Sequence, residues 1–133
     1  MTIFELLHIT DYLDNKHIGY FSTMDSVNKA IQNLRTQPGF CRFPHNFFVI
    51  PREVVPPMKE PGYIYEAGIS YHDCEYDVEG GDILGVFGQE ADAENIISLF
   101  CQNNKITTDQ WLLVDSDSGR CELNRSWWAE GFD

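Results

Sequence analysis

ILGVFGQEADAENIISLF, residues 83–100, decides the fold, because an earlier stretch, IGYFSTMDSVNKAIQNL at residues 18–34, repeats it. Gly85 answers Gly19, Phe87 answers Phe21, Ala93 answers Val27, Ile97 answers Ile31 and Phe100 answers Leu34. Each copy reads as a short apolar strand, a polar break and a helix. The helical apolar positions are Val27, Ala30, Ile31 and Leu34 in one copy and Ala93, Ile96, Ile97 and Phe100 in the other. This i, i+3, i+4, i+7 spacing puts four side chains on one helix face. Ser22 or Thr23 caps the first helix, and Gly88 stands at the position of Ser22 in the second. A repeat of this kind speaks to architecture before it speaks to chemistry.

The rest of the chain is read outward from these two anchors. TIFELLHIT, residues 2–10, is a strand with Phe4, Leu6 and His8 on one face and Ile3, Leu7 and Ile9 on the other. Apolar residues on both faces place it centrally in a sheet. His8 on such a face reads as a hydrogen-bonded core histidine. A second strand runs over 16–21, and the first helix over 24–35. Gln37-Pro38-Gly39 ends the helix, Phe40 and Phe43 fold back on it, and NFFVI at 46–50 is a third strand. Residues 51–62 carry four of the six prolines and read as an extended linker.

The second copy opens at Tyr63–Tyr71, with Ile64-Tyr65-Glu66 matching Ile3-Phe4-Glu5. The offset between copies then grows by five residues, lengthening the hairpin connection to HDCEYDVEGGD with a turn expected at Gly80-Gly81. Asn103-Asn104 stops the second helix, Gln110–Val114 is the last full strand, Asp115–Gly119 a turn, and Arg120–Leu123 a short strand. The closing SWWAEGFD is apolar enough to fold back. The fold expected is α+β: two pseudo-symmetric ββαβ repeats, mainly antiparallel sheet, two main helices and a pseudo-twofold axis. The third strand of each repeat lies beside the first. The division is 1–50, linker 51–62 and 63–133, forming one compact domain.

With 43% apolar residues the 133-residue chain has enough material for a core. It has no apolar run of about 18 residues, the length a membrane span needs. Its start, MTIFELLHIT, carries an acid rather than a basic leader, so a cytoplasmic location is expected. Four cysteines without CxxC spacing read as reduced thiols, with Cys101 facing the core. The formal charge is -12, concentrated in residues 60–104, which hold ten acids and no lysine or arginine. Phosphate contacts need basic surface, which argues against a nucleic-acid partner. A basic protein is the complementary partner.

Ile18-Gly19-Tyr20-Phe21-Ser22, Pro38-Gly39-Phe40 and Trp128-Ala129-Glu130-Gly131-Phe132 together resemble a small uncharacterised bacterial domain with the pattern IGxFSS…A…PGF…F…WxEGF. Here the pattern is split: the second copy lacks PGF and the first lacks the tryptophan tail. In size, charge and class the chain is also similar to immunity proteins encoded beside secreted bacterial toxins, including those of contact-dependent growth inhibition. That resemblance implies a protein-binding role without catalysis.

The chemistry-bearing motifs point the same way. GxSxG, the P-loop, the Rossmann glycine pattern and HExxH are all missing from the sequence. His72 and Cys74 stand two apart, but no third residue completes a nucleophile–base arrangement. An EF-hand counted from Asp73 fails, because position 12 is Leu84 and position 6 is Val78. No catalytic residue, metal site or cofactor is assigned. In the lengthened hairpin, Asp73, Glu75, Asp77 and Glu79 alternate with other residues, which puts the carboxylates on one side of an extended segment. The partner-binding set is Asp73, Glu75, Tyr76, Asp77, Glu79 and Asp82, with Tyr76 as the aromatic anchor. The expected function is neutralisation of a cognate basic toxin, such as a nuclease, whose cleft binds phosphate. A regulatory or small-molecule-sensing module with a ligand between the repeats is the alternative.

Overall fold

The computed structural model describes residues 1–10, 15–58, 60–73, 78–103 and 112–126, with strand residues 70–73, 78–82 and 112–119 described as backbone only. Within these bounds the protein is α+β, with two helices and one mixed sheet. It divides into two compact units: Met1–Glu53 together with the stretch from Glu122, and Val54–Cys121. The units meet at 53/54 and 121/122, whereas the sequence reading places a linker at 51–62. The chain enters the second unit inside a strand and returns to the first before its last residues.

In the first unit, β1 (Thr2–His8) lies between β2 (Lys16–Phe21) and the first part of β3 (Phe47–Val55), antiparallel to both. Its apolar residues on both faces suit that central place: Ile3, Glu5, Leu6 and His8 are all buried. Helix α1 (Met24–Leu34) covers one face of this sheet. Leu6, Ile18, Phe21, Val27, Leu34 and Phe40 form the core there, with Ala30, Ile31, Phe47 and Val49 packed around it. The apolar stripe therefore faces the sheet as its spacing requires. Thr23 is the N-cap, accepting from the Ser26 N–H at 3.2 Å. Removing that acceptor in Thr23→Ala orphans one helix donor, and urea denaturation is expected to show a loss of about 1 kcal/mol.

After α1, Gly39 takes φ 91°, a left-handed conformation open to glycine, and turns the chain so that Phe40 reaches the core. Phe43 does not follow it. Its side chain is 46% exposed, and only its carbonyl points inward, accepting from His8 Nε2 at 2.9 Å. His8 is the core histidine expected, its ring set against Phe40 and Phe47.

β3 continues to Val55, five residues further than the sequence suggests, so the expected linker begins as strand. Pro51 stands opposite Phe4. An antiparallel ladder takes an N–H from only alternate residues of each partner, so one missing donor need not break it.

In the second unit the end of β3 runs parallel to β5 (Val78–Phe87) through Val54↔Val86 and Val55↔Phe87. β5 pairs antiparallel with β4 (Tyr63–Asp73), which neighbours β6 (Leu112–Glu122). Helix α2 (Glu90–Asn103) packs on β4 and β5 through Ala93 and Ile97, which join Tyr65, Ala67 and Phe87; Leu84, Ile96 and Cys101 pack around them. Through β3 the hydrogen-bonding order is β2-β1-β3-β5-β4-β6. β6 is continuous, and the turn expected at Asp115–Gly119 is strand. Asp, Ser and Gly favour turns, but a neighbouring strand offers the backbone of alternate residues a hydrogen-bond partner, and that pairing overrides the local preference here.

The two hairpins share a register. Phe4 pairs with Phe21 and Tyr65 with Phe87; the ladder shifts between Leu6 and Leu7 in one and between Ala67 and Gly68 in the other. No helix among the described residues is long and apolar enough to cross a membrane.

Candidate functional site

The β4–β5 hairpin carries the residues assigned to partner binding. The β1–β2 ladder ends at His8↔Lys16, whose counterpart in the second hairpin is Ile69↔Asp82. Beyond that rung β4–β5 adds four more: Ser70↔Gly81, Tyr71↔Gly80, His72↔Glu79 and Asp73↔Val78. The four added rungs take eight residues, the five gained by the chain and three drawn from the connection, so the whole gain went into a longer two-stranded ribbon.

Asp73 closes β4, and Glu79 and Asp82 lie in β5. Glu75, Tyr76 and Asp77, with Cys74, lie outside the described residues. Two expectations are corrected. Gly80-Gly81 is not the turn, since both glycines sit in β5 opposite Tyr71 and Ser70. Nor is 73–79 one extended segment, because the chain reverses between Asp73 and Val78. Asp73 and Glu79 belong to adjacent rungs on the two opposing strands. Alternation of acids suggests a single strand, but backbone pairing with 69–72 claims residues 79–82 for the return strand.

The neighbouring acids of α2 are described in full. Glu90 and Glu94 are exposed and Asp92 is half-buried. Glu90 and Asp92 occupy the first turn, where the helix dipole favours negative charge.

A second constellation, absent from the sequence reading, is built in the first unit around Glu5. Its side chain is 1% exposed in the middle of β1. Arg52 of β3 donates to Glu5 Oε1 through Nε at 3.0 Å and Nη2 at 2.9 Å. His17 of β2 places Nε2 3.0 Å from Glu5 Oε2, and its ring lies 4.9 Å from that of Tyr20, centroid to centroid. Burial alone would push the Glu5 carboxyl up, but the His17 and Arg52 contacts outweigh it and hold its pKa below the ordinary value. Arg52 and His17 are 27% and 32% exposed at the side chain, whereas the Glu5 side chain between them is buried.

Chemically this is a fixed anion held between a guanidinium and an imidazole, tying three strands together. A carboxylate committed to an arginine is poorly placed to take up a proton, which argues for a structural role. One signal was available in the sequence: a glutamate inside an apolar strand, repeated as Glu66 in the matching strand of the second copy.

Among the described residues no group of three His, Cys, Asp or Glu side chains is placed to hold a metal ion. Cys41, Cys101 and Cys121 are free thiols, and Cys101 packs on the α2 core as expected. No protein-family model matches the chain, and no curated protein or solved structure matches it significantly.

Proposed function

We propose that the protein is a non-enzymatic protein-binding protein that neutralises a cognate basic toxin domain, as an immunity protein of a contact-dependent growth inhibition or similar system does. The observation that carries this reading is the segregation of charge between the units. Residues 54–121 hold thirteen acids and three lysines or arginines, whereas the remainder holds eight acids against six. The acidic unit is also the one whose hairpin is four rungs longer. A cleft that binds phosphate is cationic, and an acidic ribbon complements it in association rate and specificity.

On this reading the two halves are diverged copies of one ββαβ unit. The common hairpin register and the ladder shift at matching positions support the duplication. So does the placing of β3 beside β1 and of β6 beside β4. The first copy kept the short hairpin and the second acquired the ribbon.

The test is affinity capture from extracts of the native organism at low and high salt. A basic protein should bind at low salt and elute as salt rises, because exposed charge pairs are screened. Saturable thermal stabilisation by a metabolite, with no protein captured, would replace this reading with the sensing one.

A further inference from the structure

Two glycines stand at strand–helix junctions, and a chain segment passes over each more closely than any side chain tolerates. A Cβ on Gly88, between β5 and α2, would lie 2.3 Å from the Pro57 carbonyl oxygen. A Cβ on Gly19, in β2, would lie 2.3 Å from the Arg125 carbonyl oxygen. In the second unit the overlying segment is the exit from β3, held as Gly88 N–H donates to the Val55 carbonyl at 2.8 Å. In the first unit it is the exit from β6.

The first-unit contact is the more elaborate. The Asn124 N–H donates to the Tyr20 carbonyl at 2.8 Å. The Asn124 side-chain Oδ1 accepts from the Ser22 N–H at 2.9 Å and lies 3.1 Å from Ser22 Oγ. Asn124 takes φ 64°, a left-handed conformation asparagine adopts more readily than most residues. Leu123 beside it is buried. None of this serves the helix cap, which is Thr23. Gly19 and Ser22, two residues of the IGYFS stretch, are thus occupied by the residues that lead into WAEGF.

We propose that IGYFS is the seat of a strap formed by residues 123–126, which latches onto the first unit. Seated, the strap occupies the Tyr20 carbonyl and the Ser22 N–H at the junction of β2 and α1. Released, it frees the stretch from Glu122 and leaves those groups as open strand edge, the kind of surface to which another strand adds. The latch depends on a missing side chain at 19, an amide side chain at 124 and the Ser22 N–H between them. It does not depend on the acidic ribbon or on any partner.

Limited trypsin digestion of the full chain, followed by mass spectrometry, reads the latch directly, since cleavage after Arg125 needs the strap lifted. Cleavage after Lys29, inside α1, reports unfolding of the whole unit. The natural chain should be cut slowly at both. Gly19→Ala and Asn124→Ala should each raise cutting after Arg125 by about tenfold or more without changing Lys29, as one lost hydrogen bond or one clash shifts a local opening. The double variant should be no faster than the faster single, and Gly88→Ala should leave Arg125 protected. The proposal is overturned if both single variants leave Arg125 as slow as before. It is also overturned if Lys29 becomes accessible in parallel, or if the natural chain is cut after Arg125 as fast as in urea.

Discussion

Replacing Arg52 with methionine is expected to destabilise the fold by about 3 kcal/mol, because it leaves a carboxylate buried without its arginine. Methionine fills much of the aliphatic volume, so the loss reads the charge more than the cavity. Glu5→Gln is expected to cost less, about 1–2 kcal/mol, since an amide oxygen still accepts from Arg52, whose part-exposed side chain keeps access to water. Urea denaturation at neutral pH measures both, and equal losses would sink the account of a buried anion held by a part-exposed arginine. The pH dependence follows from the same geometry. The folded Glu5 carboxyl titrates below its ordinary value near 4.5. Its contribution is therefore complete above that value and is lost as pH falls through the depressed folded one. In Arg52→Met the folded value should move up, because His17 alone then opposes burial, and the variant should lose less stability on acidification than the natural chain.

Charge reversal of the ribbon, Asp73→Lys, Glu75→Lys, Asp77→Lys and Glu79→Lys together, is expected to weaken capture of the basic partner by about a hundredfold or more. The association rate should fall most, and the salt dependence should vanish with it. Circular dichroism should stay unchanged, which checks that the loss of binding is not a loss of fold. The same four changes on α2 and the first unit, at Glu90, Glu94, Asp25 and Glu53, form the control of equal charge. If that control weakens binding as much, net charge rather than the ribbon drives association.

Much of the architecture was legible because it rests on periodicity. The helical stripes ending at Leu34 and Phe100, the double-faced β1 and the matched Gly19 and Gly85 follow from side-chain spacing alone, and the elements formed where that spacing put them. The misreadings cluster where composition was asked to stand in for pairing. DSDSG at 115–119 and Gly80-Gly81 look like turns, and Pro51 looks like a break, yet all three lie in strands. A neighbouring edge satisfies backbone groups more strongly than turn preference opposes it.

The candidate sites divide along the same line. Acid content and the lengthened hairpin are properties of the chain and needed no coordinates. That Asp73 and Glu79 stand on opposite strands depends on where the chain reverses, which register alone decides. Glu5 was visible as an odd residue in an apolar strand, but Arg52 and His17 reach it from elsewhere in the chain, and only the β2-β1-β3 order brings the three together. The sequence by itself determined the two helices, the double-faced first strand and the charge, since these depend on neighbours along the chain. Tertiary structure alone decided which polar groups meet: Glu5 with Arg52 and His17, and Ser22 with Asn124. The reason is physical, since strand pairing joins residues far apart in sequence, and no local preference specifies a partner across that distance.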